Sequence, residues 1–324
     1  MLENLIATLK ANPRKIVFTE GPDPRILEAA SRLKNDGILE SILVGNADEV
    51  KAAAAAGGFD IEGLEVLDPA TYLEMDAMVA KMVELRKGKM SEEDCRKALS
   101  KGNYFGTMLV KLGKADALLG GATYSTADTV RPALQLIKTK PGNKIVSSCF
   151  ILTRVGADGK EENYAMGDCA INITPGEDDL VEIAVETANT AKAFGIDPKV
   201  AMLSYSTMGS GKGDSVDMMR NATAKAKAAA PGLAIDGELQ FDAAFSPVVA
   251  QTKCKGSPVA GQANTFIFPD INAGNIGYKI AQRLGGFEAF GPILQGLNAP
   301  INDLSRGCNA EEVYKMAIIT AGLK

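Results

Sequence analysis

The feature that most restricts what this chain can fold into is the alternation, along its first 120 residues, of short apolar runs with segments of helical pattern. Lys15 to Glu20 reads as a short buried strand, and Gly21-Pro-Asp-Pro24 as a turn that opens a helix. Ser41 to Gly45 is the next strand, followed by an Ala-rich helix that ends at Gly57-Gly58. Alanine is the best helix former, so Ala52 to Ala56 is low complexity only in name. Leu64 to Asp68 and Ala115 to Gly120 are further strands, and residues 69–113 between them are helical by pattern. Strands that alternate with helices predict a parallel sheet covered on both faces, because each parallel connection must cross over the sheet.

The rhythm changes after Pro141-Gly142. Lys144 to Thr153 and Tyr164 to Thr174 predict a long antiparallel hairpin around the turn Gly156-Ala-Asp-Gly159. Alternation resumes with strands at Val200 to Tyr205, Leu233 to Leu239 and Thr265 to Phe268, and Asn309 to Ala321 closes the chain as a helix. A length of 324 residues, at roughly 150 per domain, fits two domains. No long Pro/Gly/Ser linker or internal repeat separates them. The expectation is two tightly joined α/β domains with a boundary near residue 142.

Charge and residue counts narrow the chemistry. Lys+Arg of 35 against Asp+Glu of 40 gives a net charge of −5. That balance does not favour a nucleic-acid surface, though it leaves room for a local cationic pocket. The chain contains no histidine, which excludes Ser-His and Cys-His pairs and every histidine metal site. Acid–base work must fall to carboxylates, Lys, Tyr or Cys. Cys95, Cys149, Cys169, Cys254 and Cys308 are odd in number and form no CxxC pair, the pattern of a reducing cytosol and not of a disulfide framework or a zinc ribbon. The N-terminal residues lack a signal-peptide core, and no apolar stretch approaches the ~20 residues of a bilayer span. A soluble cytoplasmic protein is expected.

Stock motifs fail. Gly209-Ser-Gly-Lys-Gly213 imitates a phosphate loop, but a Walker A would need Gly at Ser206 and Ser or Thr at Gly213. No Gly-x-Gly-x-x-Gly follows the first strand, which weakens a Rossmann dinucleotide site. Three stretches remain. Ser206 to Gly213 follows a strand and is rich in glycine and hydroxyls, so it is either an anion-binding loop or a flexible connection. Gly120 to Arg131 also follows a strand, where open α/β sheets bind ligands. There Ser125 or Thr126 would cap a helix, and backbone N–H groups, hydroxyls and Arg131 together suit a phosphate or pyrophosphate. Asn302 to Glu312 brings Ser305 and Arg306 to the start of the last helix, a spot that favours negative charge. Asn309 and Glu312 fit a capping box, and Cys308, without a histidine partner, reads as structural.

At these residues the chain resembles the phosphate acetyltransferase (phosphotransacetylase) family. The resembling blocks are TYSTADTVRPAL at 123–134, LSYSTMGSGKGD at 203–214, DGELQFDAA at 236–244, AGQANTFIFPDINAGNIGYKI at 260–280 and NDLSRGC at 302–308. The resemblance implies two α/β domains with a central cleft, an isocitrate/isopropylmalate-dehydrogenase-like architecture. It divides the chain into 1–142 with 293–324, and 143–292. It implies a homodimer and no resident cofactor, because coenzyme A and acetyl phosphate are substrates of the reversible reaction acetyl-CoA plus phosphate to CoA plus acetyl phosphate. It further implies that Ser305, Arg306 and Glu312 are catalytic, with Glu312 standing where the family usually has Asp. Arg86, Tyr124, Ser125, Thr126, Arg131, Ser206, Thr207, Asn272 and Asn275 are the implied CoA- and phosphate-binding residues. Glu312 would take the thiol proton, Ser305 would hydrogen-bond the oxyanion, and Arg306 would hold phosphate or carbonyl oxygen.

A carboxylate near ~4.3 is poorly matched to a thiol near ~8.5. Either burial adjusts the carboxylate or the arginines make the bound thiol more acidic. Two alternatives stay open, a phosphate butyryltransferase and a catalytically silent CoA-binding protein. An NAD-dependent decarboxylating dehydrogenase would need a metal-binding aspartate cluster beside a cofactor loop, and the sequence offers no convincing one.

Overall fold

In a computed structural model, which describes residues 2–324, the chain divides into two compact units, Met1–Pro141 with Leu297–Lys324, and Gly142–Gly296. In chain order the first unit opens with α1 (Leu2–Ala11), β1 (Lys15–Phe18), α2 (Pro24–Asn35), β2 (Glu40–Val44), α3 (Ala47–Gly57) and β3 (Glu65–Leu67). It continues with α4 (Met75–Arg86), α5 (Glu92–Leu99), α6 (Gly102–Lys111), β4 (Ala117–Gly120) and α7 (Thr126–Pro132), which runs on as a π-turn over Ala133–Ile137. Local signals set the helix ends. Asp23 caps α2 by accepting from the Arg25 N–H, with Pro24 in the first turn, and Gly58 stops α3 in the left-handed conformation at φ 69°.

The second unit holds β5 (Ser147–Val155), β6 (Glu161–Gly167), α8 (Glu177–Ala193), β7 (Lys199–Leu203), α9 (Asp214–Ala229) and β8 (Ala234–Leu239). After it come α10 (Phe241–Phe245), α11 (Pro247–Lys253), β9 (Thr265–Ile267), α12 (Ile271–Arg283) and β10 (Glu288–Gln295). The chain then returns to the first unit as β11 (Ile301–Asp303) and α13 (Ala310–Gly322).

The first sheet has the order β11-β4-β1-β2-β3 and is parallel throughout. Val17, Ile42, Val44, Leu118 and Ile301 turn to one core with Met78, Met82, Phe105 and Leu109 of the crossover helices. Ile16, Phe18, Leu43 and Leu119 are also fully buried, on the face covered by α2 and α13, with α1 packed on α13. Burial on both faces explains why these strands are continuous apolar runs. The second sheet, β10-β5-β6-β9-β7-β8, is antiparallel across β10, β5 and β6 and parallel beyond. Alternate residues of β7 divide between its two cores, Ala201 and Leu203 in one, Val200 and Met202 in the other.

Three sequence expectations need correction. The second hairpin strand is Glu161–Gly167, well short of the expected Thr174. It ends because the buried Asp168 carboxylate gathers the N–H groups of Ala170, Ile171 and Asn172, which bends the chain out of the ladder. The expected return to the first unit at 293 falls inside β10, whose pairing with β5 runs through Gln295. That strand escaped notice because Pro292 and a register shift between Phe290 and Ile293 break its alternation, and an edge position tolerates both. β11 was also missed. It is three buried residues, two of them polar, with Asn302 donating to Thr320 Oγ1 at 2.9 Å.

Candidate active site

Three neighbouring parallel strands of the first unit, β11, β4 and β1, deliver their following loops to the same carboxyl edge. β4 ends in Gly120 and its following loop begins with Gly121, and both positions demand glycine. A Cβ on Gly120 would lie 2.1 Å from Thr19 Oγ1, and one on Gly121, at φ 98°, would lie 2.2 Å from Asp303 Oδ1. The close approach lets the Glu20 carboxylate accept from the backbone N–H groups of Gly121, Ala122 and Thr123 at 2.9, 3.1 and 2.5 Å, and from Thr123 Oγ1 at 2.6 Å. The backbone donors that the sequence offered to a substrate phosphate are therefore held by a side chain of β1's own loop.

Asp303, at the end of β11, is buried and receives the hydroxyls of Thr126, at 2.6 Å, and Thr129. Burial pushes its carboxyl up, against the opposing pull of those two bonds. Tyr124 donates to or accepts from Thr19 Oγ1 at 2.7 Å, and burial raises its phenol strongly. Ser125 occupies the cap position of α7, but its hydroxyl goes to Asp128 Oδ2 at 2.7 Å and not to the helix backbone.

The loop after β11 is anchored where Leu304 N–H reaches Gly120 O at 2.7 Å. Ser305 and Arg306 follow, both exposed. Ser305 Oγ accepts from Gly307 N–H at 3.2 Å, so its own proton is available to donate. Asn309 caps α13, and Glu312 completes the reciprocal box, its N–H on Asn309 Oδ1 at 2.9 Å and its Oε2 accepting from Asn309 N–H at 3.3 Å. Glu312 is exposed. Cys308 is buried, and burial pushes its thiol up, the reverse of what a nucleophile needs.

Arg86, at the end of α4, donates weakly to Gln135 O at 3.4 Å, and its Nε is buried without a hydrogen-bond partner. Arg131 is exposed in the last turn of α7. Both guanidinium groups bear on Tyr104: burial raises that phenol, while Arg131 and Arg86 draw it down. Two cations thus share one corner of this unit.

The second unit carries the other named residues. Ser206 is fully buried, donating to Glu238 Oε1 at 2.9 Å and accepting from Gly211 N–H at 2.9 Å. Thr207 Oγ1 accepts from Gln240 N–H at 3.0 Å. Asn275 gives its amide to Cys169 O at 3.0 Å, and Asn272 is exposed in the first turn of α12. Sequence reasoning passed over Glu20, Arg25, Asp303 and Glu238. The first two had a visible signal, charged residues flanking Gly21-Pro-Asp-Pro24 at the end of a strand.

A doubly covered parallel sheet whose strand ends gather a hydroxyl, a guanidinium and carboxylates describes an α/β protein with a polar site at the carboxyl edge of its sheet. The family model for phosphate acetyl/butaryl transferases matches residues 1–321, and the chain belongs to that family. It is 58% identical over 307 residues to a phosphate acetyltransferase of Bacillus subtilis (strain 168), covering 95% of this chain and 94% of the relative. A crystal structure of a phosphotransacetylase from Streptococcus pyogenes superposes with a TM-score of 0.95 at 55% identity, over 99% of this chain and 96% of that one. A putative 4-hydroxythreonine-4-phosphate dehydrogenase from Salmonella typhimurium shares the fold alone, at a TM-score of 0.55 and 14% identity over 97% and 100% of the two chains. The architecture is thus the dehydrogenase-like one.

Proposed function

We infer that the chain catalyses acetyl-CoA plus phosphate to CoA plus acetyl phosphate, reversibly. The observation that carries this reading is the 58% identity, over nearly the whole length, to a phosphate acetyltransferase. In the mechanism, CoA and acetyl phosphate bind together. Glu312 accepts the thiol proton, and its cap bond occupies only one carboxylate oxygen. The thiolate attacks the acetyl carbonyl carbon, and the carbonyl electrons move onto oxygen. Ser305 donates to that oxyanion, while Arg306 holds carbonyl or phosphate oxygen; collapse then re-forms the carbonyl and expels phosphate. Arg86 and Arg131 are assigned to phosphate groups of CoA, a role supported by the buried, unpartnered Arg86 Nε. Tyr124, Ser125 and Thr126 shape the adjoining loop. Ser206 and Thr207 build the loop over 204–213, and Asn272 and Asn275 are assigned to α12's share of substrate binding.

No resident cofactor enters this scheme. The enzyme is proposed to be a cytoplasmic homodimer. Its free cysteines suit a reducing compartment, and among the described residues no helix is long and apolar enough to cross a membrane. The exposed row Ile276 and Ile280 on α12, with Leu284 just past its end, offers a second copy an apolar contact.

The test is thioester formation from CoA with acetyl phosphate, and with butyryl phosphate in parallel. Acetyl-CoA forming faster, and disappearing in Ser305→Ala, supports the reading. A preference for butyryl phosphate moves the chain to the butyryl branch, since methylenes discriminate only weakly. No thioester from either donor, in folded protein that binds CoA, leaves the silent CoA-binding alternative.

A further inference from the structure

A guanidinium has five N–H donors in a rigid fork, and at Arg25 every one is occupied within the first unit. Nε and Nη2 grip Asp23, at 2.9 Å to Oδ1 and 2.7 Å to Oδ2. The second Nη2 donor reaches Ala122 O at 3.0 Å. The two Nη1 donors reach Arg306 O at 2.9 Å and Cys308 O at 3.1 Å. Five donors meet five oxygen acceptors, with Cys308 Sγ a further acceptor 3.7 Å from Nη1, and the acceptors come from the loops that follow β1, β4 and β11.

We propose that Arg25 is a positioning residue that locks the Ser305-Arg306 loop in its working conformation, and that it binds no substrate anion. The proposal rests on the acyl-transfer reading above. Its logic is the count of donors. A substrate phosphate approaching Arg25 would find no N–H to receive unless it broke a bond already made. Arg86 differs, with a buried Nε that nothing accepts.

The loop needs such a lock. Beyond the Leu304 anchor, Ser305, Arg306 and Gly307 are exposed, and their internal bonds are only Cys308 N–H to Ser305 O at 2.9 Å and Gly307 N–H to Ser305 Oγ. Arg25 fixes the carbonyls of Arg306 and Cys308, and so the two peptide planes that follow those residues. Fixing these planes sets the direction in which the Arg306 side chain leaves the backbone and where the preceding Ser305 hydroxyl sits. The bond to Ala122 O ties the same fork to the loop carrying Tyr124 and Thr126. Lysine cannot substitute, because one ammonium nitrogen cannot span acceptors spread across three loops.

The test compares Arg25→Lys and Arg25→Ala with wild type in the thioester assay, alongside amide hydrogen exchange across residues 304–309. The expected result is a kcat lower by roughly 10- to 100-fold, as for modest misplacement of a reacting group. KM for CoA and for acetyl phosphate should stay within about threefold, exchange in 304–309 should rise, and added guanidinium ion should restore part of the kcat of Arg25→Ala. A KM raised tenfold or more with kcat kept would make Arg25 a substrate contact and overturn the proposal. So would wild-type turnover with unchanged exchange. Should Arg25→Ala not fold, Asp23→Asn keeps the helix cap but loosens the fork, and is read by the same criteria. If the wild type itself forms no thioester, the reaction reading fails, while the exchange measurement still decides the lock.

Discussion

Two loops of this molecule have nearly the same composition and opposite behaviour. The loop over 121–125 and the loop over 204–213 both follow a parallel strand, both are rich in glycine and hydroxyls, and both wrap a carboxylate of their own chain. In the second unit the polar groups at the start of the loop, Ser206 and Thr207, point inward, while Tyr205 and Met208 are exposed. Glu238, 1% exposed, accepts from Ser206 Oγ and Gly209 N–H on one oxygen and from Arg220 Nε on the other, at 2.9, 2.6 and 3.3 Å. Burial alone would push its carboxyl up, but those donors prevail and hold it below the usual range. In the first unit Glu20 is only half-buried, and the loop it organises adjoins one that turns Ser305 and Arg306 outward. Glycines and hydroxyls show that a loop has donors to give. They do not show who receives them.

That contrast can be broken by mutation. Glu238→Ala strands a buried hydroxyl and an N–H, and should cost about 2 to 3 kcal/mol in urea unfolding. Glu20→Ala, which removes a half-buried carboxylate and frees the donors of the exposed Thr123 to water, should cost less, about 1 kcal/mol; equal losses would erase the distinction drawn between the loops. Arg306→Gln should lower turnover at least roughly tenfold, about 1.4 kcal/mol in the barrier, with the urea midpoint unmoved. Near-normal activity in that variant would remove Arg306 from the mechanism.

Asp303 sharpens the comparison through pH. Its carboxyl is raised above the ordinary value of 3.8, so it binds its proton more tightly folded than unfolded. The stability this contributes is present below the ordinary value and is lost as pH rises through the raised one. Wild type should therefore lose ground to Asp303→Asn in urea midpoints as pH rises above the ordinary carboxyl value; a gain in that direction would contradict the assignment. Smallest of all should be the stability change in Glu312→Gln, within about 0.5 kcal/mol, because Gln also completes a capping box. Its turnover should fall clearly, and full activity there would leave Glu312 with the cap alone.

Much of this architecture was legible in residue order. Lys15 to Phe18, Ser41 to Val44 and Ala117 to Gly120 announce themselves because both faces of a parallel sheet are buried, so each strand is an unbroken apolar run. The cap of α13 at Asn309 was equally plain, since capping is local chemistry over four residues. Ile301–Asp303 was not, for a strand this short, carrying Asn and Asp, has no periodicity to read. Ser305 and Arg306 stood out as a hydroxyl and a guanidinium at the start of a helix, a spot that favours negative charge. Arg25 and Glu20 did not, because, apart from Asp23 beside Arg25, their partners lie about a hundred or more residues away.

The sequence by itself determined the helix–strand order of the first 120 residues, the absence of histidine chemistry and the residues that could form an acyl-transfer site. Those properties depend on composition and on neighbours within a few positions. Only the tertiary structure decided which donors are spent. Glu20 on the backbone of 121–123, Glu238 on Ser206 and Arg25 on three carbonyls are long-range pairings, set by which strand ends lie side by side in a sheet. A hydrogen bond, once given to a partner within the fold, is no longer available to a substrate, and no local pattern records where it went.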